Sequence, residues 1–165
     1  MYRIIAVCTG NICRSPMAER MLARALKEAG LASQVSVDSA GTTGWELGRP
    51  IDQRAGQRLE QSGLTALDHR ARQFEASWYE ERDLILALDV DHYDHLRNSA
   101  PHDAARDKVR LWRSFDPAVS HLGPSAQGIY DPWFGEASDF DASWQMIDAA
   151  LKGIIEFVRK ELDAR

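Results

Sequence analysis

The sequence predicts an α/β fold: a single domain in three layers, with a central four-stranded parallel sheet flanked by helices. Three observations carry the prediction. Ile4-Ile5-Ala6-Val7 and Leu84-Ile85-Leu86-Ala87-Leu88 are apolar throughout, as strands covered on both faces are. Such runs alternate with helical patterns, the signature of βαβ units. Across 165 residues there is no repeat and no linker, and a chain of this length buries about 70% of its extended surface as one domain, 1–165.

Tyr2 to Val7 is the first strand, too short and too β-branched for a core helix. After a loop, Ser15 is a suitable N-cap and Pro16 occupies the favoured first helical position. Ala18, Met21, Leu22, Ala25, Leu26 and Ala29 then mark one helical face, and Gly30 ends it. Val35-Ser36-Val37 is a short second strand closing at Ser39-Ala40-Gly41. Thr42 to Pro50 is a loop, followed by a polar helix from Asp52 to Ser62, stopped by Gly63. Leu64 to Gln73 carries no clear period. Leu84 to Leu88 is the clearest strand, a helix follows from Asp91 to Arg97, and Lys108 to Trp112 supplies a fourth strand. Ser114 to Ser138 is loop-like, with three prolines and three glycines. Phe140, Trp144, Ile147, Leu151, Ile154, Val158 and Leu162 step by three and four along a long C-terminal helix.

Composition narrows the function classes. A net charge of −5 argues against a nucleic-acid partner, which usually meets a basic surplus. Two cysteines, both in the first loop, make neither a disulfide scaffold nor a four-thiolate metal site, and their scarcity suits a reducing cytoplasm. The N-terminal apolar run is too short for a signal peptide, and nothing approaches a membrane span. A cytoplasmic protein without a membrane partner is expected.

The chemistry concentrates in Cys8-Thr9-Gly10-Asn11-Ile12-Cys13-Arg14-Ser15-Pro16. Gly10 and Asn11 are the residue types that most readily take positive φ, so the loop can curl its backbone N–H groups inward around an anion. The helix behind it points its positive end at the same spot, and Arg14 adds a planar fork for two oxygens. A free cysteine alone is most often a packed apolar residue. Within such a cradle the thiolate is the stabilised form, and Cys8 becomes a nucleophile for phosphorus. A proton donor for the leaving group is offered by two Asp-Pro dipeptides, Asp116-Pro117 and Asp131-Pro132, both common turn sequences. The aromatics Trp133 and Phe134 directly after Asp131-Pro132 favour the second, because an aryl phosphate needs apolar walls. Trp45, in another Gly-containing loop, is a further wall candidate or a local packing group.

The C-x5-R-S signature, placed directly after the first strand, resembles that of the low-molecular-weight protein tyrosine phosphatases, and the likeness extends over nearly the whole chain. The resemblance implies a protein tyrosine phosphatase working through a phosphocysteine intermediate. Cys8 would be the nucleophile, Arg14 the phosphate clamp and Asp131 the general acid, with Asp116 left to a turn. Thr9, Gly10, Asn11, Ile12, Cys13 and Ser15 would form the substrate cradle, with Ser15 donating to the thiolate and Asn11 bracing the loop. Trp45 in Trp45-Glu46-Leu47-Gly48-Arg49, together with Trp133 and Phe134, would flank the aryl ring. His69 and Asp89 match supporting positions, although by sequence each is an ordinary surface or cap residue. His92 and His95 are expected to be solvated. Cys13 is either a packed thiol or a reversible disulfide partner that protects Cys8. Many members carry phosphorylatable tyrosines where this chain has Trp133 and Phe134.

The resemblance further implies tyrosine-phosphorylated proteins or peptides as substrates, phosphate and other oxyanions as inhibitors, and neither metal nor cofactor. A monomer or weak dimer is expected. Three rivals remain. A thiol-dependent arsenate reductase shares the loop but shuttles oxidation onto later cysteines, and this chain has none after Cys13. A protein arginine phosphatase of the same family is known for threonine at the position of Ile12. A catalytically idle phosphoprotein-binding module would not need Cys8, Arg14 and Asp131 together.

Overall fold

Successive side chains of a strand face opposite ways, so a strand apolar at every position needs a core on each side. That is what the first strand meets. In the computed structural model, which describes residues 1–165, Ile4 and Ala6 enter one apolar cluster while Ile5 and Val7 enter another. The elements run β1 (Tyr2–Cys8), α1 (Arg14–Glu28), β2 (Val35–Gly41), α2 (Gln53–Gln61), α3 (Trp78–Glu81), β3 (Leu84–Ala87), α4 (Val90–Ser99), α5 (Asp103–Asp107), β4 (Val109–Leu111) and α6 (Ala137–Asp163). All strands are parallel, in the order β2-β1-β3-β4. The expected three-layer α/β fold with a four-stranded parallel sheet is the fold observed.

The two faces are unequal. The larger core takes Met17, Met21, Leu22 and Leu26 from α1, Ala55 and Leu59 from α2, and Phe140, Ile147, Ile154 and Val158 from α6. The smaller one gathers Trp78 and Tyr79 of α3, Leu96 of α4 and Ala105 of α5. Two arginines a turn apart on α2 stack on two aromatics a turn apart on α6. Arg54 lies 4.8 Å over Phe140 and Arg58 4.1 Å over Trp144. No helix is long and apolar enough to cross a membrane.

Strand β1 has β2 on one side and β3 on the other. The chain leaves β1 through α1 to β2, then crosses back to β3, so the strand order reverses beside the carboxyl end of β1. Open α/β sheets place ligand crevices at that position.

Several local expectations are corrected. Helix α1 begins at Arg14, with Cys13 in the N-cap position and no side-chain cap, so Ser15 is not the N-cap and Pro16 is not the first helical residue. The Ser15 hydroxyl is drawn into buried contacts instead. Strand β2 runs on to Gly41, where a Cβ would lie 2.5 Å from the Thr9 carbonyl oxygen, so glycine lets the first loop pack against the strand end. The fourth strand stops at Leu111, and the chain turns into a 3-10 helix at Trp112. Helices α3 and α5 are too short to leave a periodic signal. Helix α6 starts at Ala137, ahead of its first buried aromatic, because Glu136 and Asp139 form a capping box.

Candidate active site

The loop from Cys8 to Arg14 joins the buried end of β1 to the N-terminus of α1. No backbone N–H from Thr9 to Ser15 donates to another backbone group. Backbone donors are strongly driven to find acceptors, so such a run of uncommitted ones at a helix N-terminus makes an anion cradle. Of the two residues expected at positive φ, only Asn11 has it, at 60°. Gly10 does not. Its lack of a side chain is used otherwise, since a Cβ there would approach the Glu46 Cγ to 3.1 Å.

Asn11 is fully buried and every polar group of its side chain is engaged. Its Nδ2 donates to Ser15 Oγ (2.8 Å) and Ser39 Oγ (3.0 Å), and its Oδ1 accepts from the Arg72 backbone N–H (3.0 Å). Its main-chain carbonyl accepts from His69 Nε2 (2.7 Å), which places the proton of His69 on that nitrogen. Burial pushes the His69 imidazole below its ordinary value, so the neutral ring is the stable one. Left-handed backbone costs a non-glycine residue about 1–2 kcal/mol, and these four bonds hold it there.

Cys8 Sγ lies 3.0 Å from Ser15 Oγ. Because Ser15 Oγ accepts from Asn11, its single proton is free for the sulfur or for the Ala40 carbonyl at 3.3 Å. Both cysteines are buried free thiols, and burial pushes Cys13 well above the ordinary thiol value.

Arg14 is 4% exposed. Its Nη1 meets Asp89 Oδ2 at 3.3 Å and donates to the Ile129 carbonyl at 3.1 Å, while its Nη2 meets Asp131 Oδ2 at 3.2 Å. Two carboxylates and a carbonyl therefore fix the guanidinium plane. Asp131 also caps a short 3-10 turn, Pro132–Phe134, by accepting from the Trp133 N–H (3.1 Å). Asp116 sits apart, buried, capping its own turn at Ala118 N–H and paired with Arg113 at 2.9 Å.

The structure thus brings Cys8, Arg14 and Asp131 together at one cavity of about 200 Å³. Thr9, Gly10, Ile12 and Cys13 line it from the loop. Trp45 and Glu46 from one loop and Trp133 and Phe134 from another complete the lining. The last two rings meet edge to face with centroids 4.7 Å apart. Trp45 is 78% and Phe134 84% exposed, so most of the apolar surface of both rings stays open at the mouth. Asn11, Ser15 and His69 lie behind the loop rather than in the cavity. No three His, Cys, Asp or Glu side chains are grouped to hold a metal ion.

One expectation about the histidines is corrected. His92 is 3% exposed, not solvated. Asp89 and His92 form a capping box on α4, in which the Asp89 N–H donates to His92 Nδ1 (3.1 Å). His92 Nε2 therefore carries the proton and donates to Thr9 Oγ1 (2.8 Å). Burial, with Arg14 and His95 adding to it, pushes the His92 imidazole down to about 3. An Asp with a polar residue three positions on is a helix-start pattern, so the spacing held a readable signal. Ser39, Glu19 and Arg72, which complete the support of Asn11, left none.

Asp52 and Arg54, also unmarked by the sequence, flank the site. The Asp52 N–H donates to the Ile12 carbonyl (2.8 Å), and its carboxylate takes Arg54 Nε at 3.1 Å and Nη2 at 2.9 Å. Burial pushes the Asp52 carboxyl up, but the hydrogen bonds from Arg54 outweigh it and hold the group below its ordinary value.

Fold and site together define a class: an α/β protein with a C-x5-R anion cradle at the switch point of its sheet. A family model described as low molecular weight phosphotyrosine protein phosphatase matches residues 3–164. The chain is 43% identical over 164 residues to a low molecular weight protein-tyrosine-phosphatase of Streptomyces coelicolor, covering 99% of this chain and 98% of that one. It is 44% identical over 156 residues to low molecular weight protein-tyrosine phosphatase A of Mycobacterium tuberculosis, covering 94% and 91%. The crystal structure of a protein tyrosine phosphatase from Entamoeba histolytica, with Hepes in the active site, superposes with a TM-score of 0.86 at 25% identity, covering 98% of this chain and 99% of that one. The chain belongs to the low molecular weight protein-tyrosine-phosphatase family.

Proposed function

We infer that the chain, as one domain, hydrolyses phosphotyrosine in proteins or peptides through a phosphocysteine intermediate. The observation that carries this reading is Arg14. It is buried at the base of an anion cradle, with the Cys8 sulfur nearby and a carboxylate, Asp131, on its outer edge toward an apolar mouth.

Cys8 thiolate attacks phosphorus in line while Arg14 and the loop N–H groups hold the three equatorial oxygens. The S–P bond forms as the bond from phosphorus to the aryl oxygen breaks, and Asp131 passes its proton to the departing phenolate. Water then attacks phosphorus and gives a proton to Asp131. The S–P bond breaks, returning thiolate and inorganic phosphate. Opposite starting protonation states for nucleophile and acid give a bell-shaped rate profile. Thr9, Gly10, Ile12 and Cys13 line the cradle, Asn11 and Ser15 hold it from behind, and Trp45, Trp133 and Phe134 sandwich the aryl ring. His69 supports the loop through Asn11, and Asp89 supports Arg14. The reaction calls for no metal or cofactor, and the protein acts as a monomer or weak dimer inhibited by phosphate-like oxyanions.

A panel of phosphotyrosine, phosphoserine and phosphoarginine peptides tests the reading, with Cys8→Ser as control. Phosphotyrosine turnover that disappears in Cys8→Ser is expected. A preference for phosphoarginine would overturn the substrate, and substantial turnover by Cys8→Ser would overturn the chemistry.

A further inference from the structure

The segment that carries Asp131, Ile129 to Gly135, has little regular backbone pairing of its own. Ile129 N–H donates to the Leu88 carbonyl and Gly135 N–H to the Pro132 carbonyl. Its carbonyls are held largely by side chains from elsewhere. Arg14 takes Ile129, and Ser143 takes Tyr130 at 2.7 Å. Both carbonyls downstream of Asp131 that a side chain holds go to one group. Arg54 Nη1 donates to Gly135 at 2.7 Å and Nη2 to Trp133 at 3.2 Å.

Arg54 is itself over-determined. Asp52 grips it from behind, the Phe140 ring lies beneath it, and the Asp52 N–H anchors the pair to the Ile12 carbonyl of the phosphate loop. A two-residue unit at the start of α2 therefore touches both halves of the site: the loop that holds the nucleophile and the loop that holds the acid. The planar guanidinium makes four such bonds at once, to the two carbonyls and to both carboxylate oxygens, whereas an ammonium has only three N–H groups.

We propose that Arg54 is a positioning residue that sets Asp131 against the leaving-group oxygen. This rests on the reading of Asp131 as the general acid. Misplacing a catalytic group by about 1 Å costs on the order of a hundredfold in rate, so loss of the tether acts on the step that needs the proton. That step weighs most for substrates whose leaving phenolate is strongly basic.

The test is the dependence of kcat/KM on leaving group across a series of aryl phosphates, from p-nitrophenyl phosphate to phenyl phosphate. It is run on the wild type, Arg54→Met, Arg54→Lys, Asp131→Ala and the Arg54→Met/Asp131→Ala pair, with urea unfolding of each. In Arg54→Met the dependence steepens as in Asp131→Ala: phenyl phosphate loses roughly ten- to a hundredfold and p-nitrophenyl phosphate only a few-fold. Arg54→Lys falls between, and Arg54→Met adds little once Asp131 is gone. A uniform loss across the series in Arg54→Met and Arg54→Lys, whatever the stability change, overturns the proposal, as does full additivity in the double variant. If Asp131→Ala itself leaves the dependence unchanged, the acid assignment fails and takes this proposal with it. A steep Asp131→Ala beside a flat Arg54→Met removes the Arg54 role alone.

Discussion

His92 makes the stability of the protein a measurable function of pH. Its folded-state value lies near 3, against about 6.5 in an unfolded chain. The unfolded chain therefore takes up a proton that the folded one refuses. The contribution is whole above about pH 6.5 and falls as the pH drops, at up to about 1.4 kcal/mol per unit, until the folded ring titrates near 3. Between pH 7 and pH 5 the loss from this ring is about 2 kcal/mol, a sizeable share of a stability of about 5–15 kcal/mol. His92→Asn removes the titration. At pH 7 it costs about 1–3 kcal/mol for the broken bonds to Asp89 and Thr9. Urea unfolding at pH 7, 6 and 5 separates the two effects. Wild type should lose about 2 kcal/mol more than His92→Asn over that range, with the buried His69 contributing equally to both. Parallel pH dependences would show that folding does not hinder protonation of His92, and would refute the depressed value and the reasoning built on it.

Other perturbations address the loop and its walls. Asn11→Ala strips three side-chain hydrogen bonds from a residue held at positive φ, and should lower stability by about 2–4 kcal/mol in urea unfolding and weaken inhibition by phosphate. Gly41→Ala drives a Cβ to 2.5 Å from the Thr9 carbonyl, so the loop must shift and vanadate inhibition should weaken by about tenfold or more. Trp45→Ala removes a largely exposed ring: unfolding should change by less than about 0.5 kcal/mol, while KM for aryl phosphates rises about two- to tenfold.

What could be read in advance was what lies close in sequence. Cys8, Arg14 and Ser15 fall within one strand–loop–helix unit, and Asp131 with Trp133 and Phe134 within one turn. The sheet was equally legible, because doubly covered strands write their burial as continuous apolar runs. Contacts between distant polar residues were not. Ser39 and Arg72 carry ordinary local patterns, and only folding brings them to Asn11. Arg54 is, by local pattern, one more cation on a polar helix. The Asp89–His92 spacing marks a helix start, but the burial of the ring depends on Thr9 arriving from a distant loop, which no local pattern announces. The position of Ser15 fits a cap, yet the buried sulfur and amide beside it claim the hydroxyl, in line with the contact to Cys8 that the resemblance implies.

The placement of Asp131 against Arg14 also has a consequence in time. Synthesis runs from Cys8 toward Asp131, so a ribosome makes the cradle well before the segment that faces it. Until the segment from Ile129 onward has emerged and α6 has docked on α1, Arg14 lacks its carbonyl partner at Ile129 and its outer carboxylate. A chain made only as far as the cradle thus holds the Cys8 thiol without the Asp131 carboxylate that lines the same cavity. The cavity closes around the thiol only when that segment has folded against it.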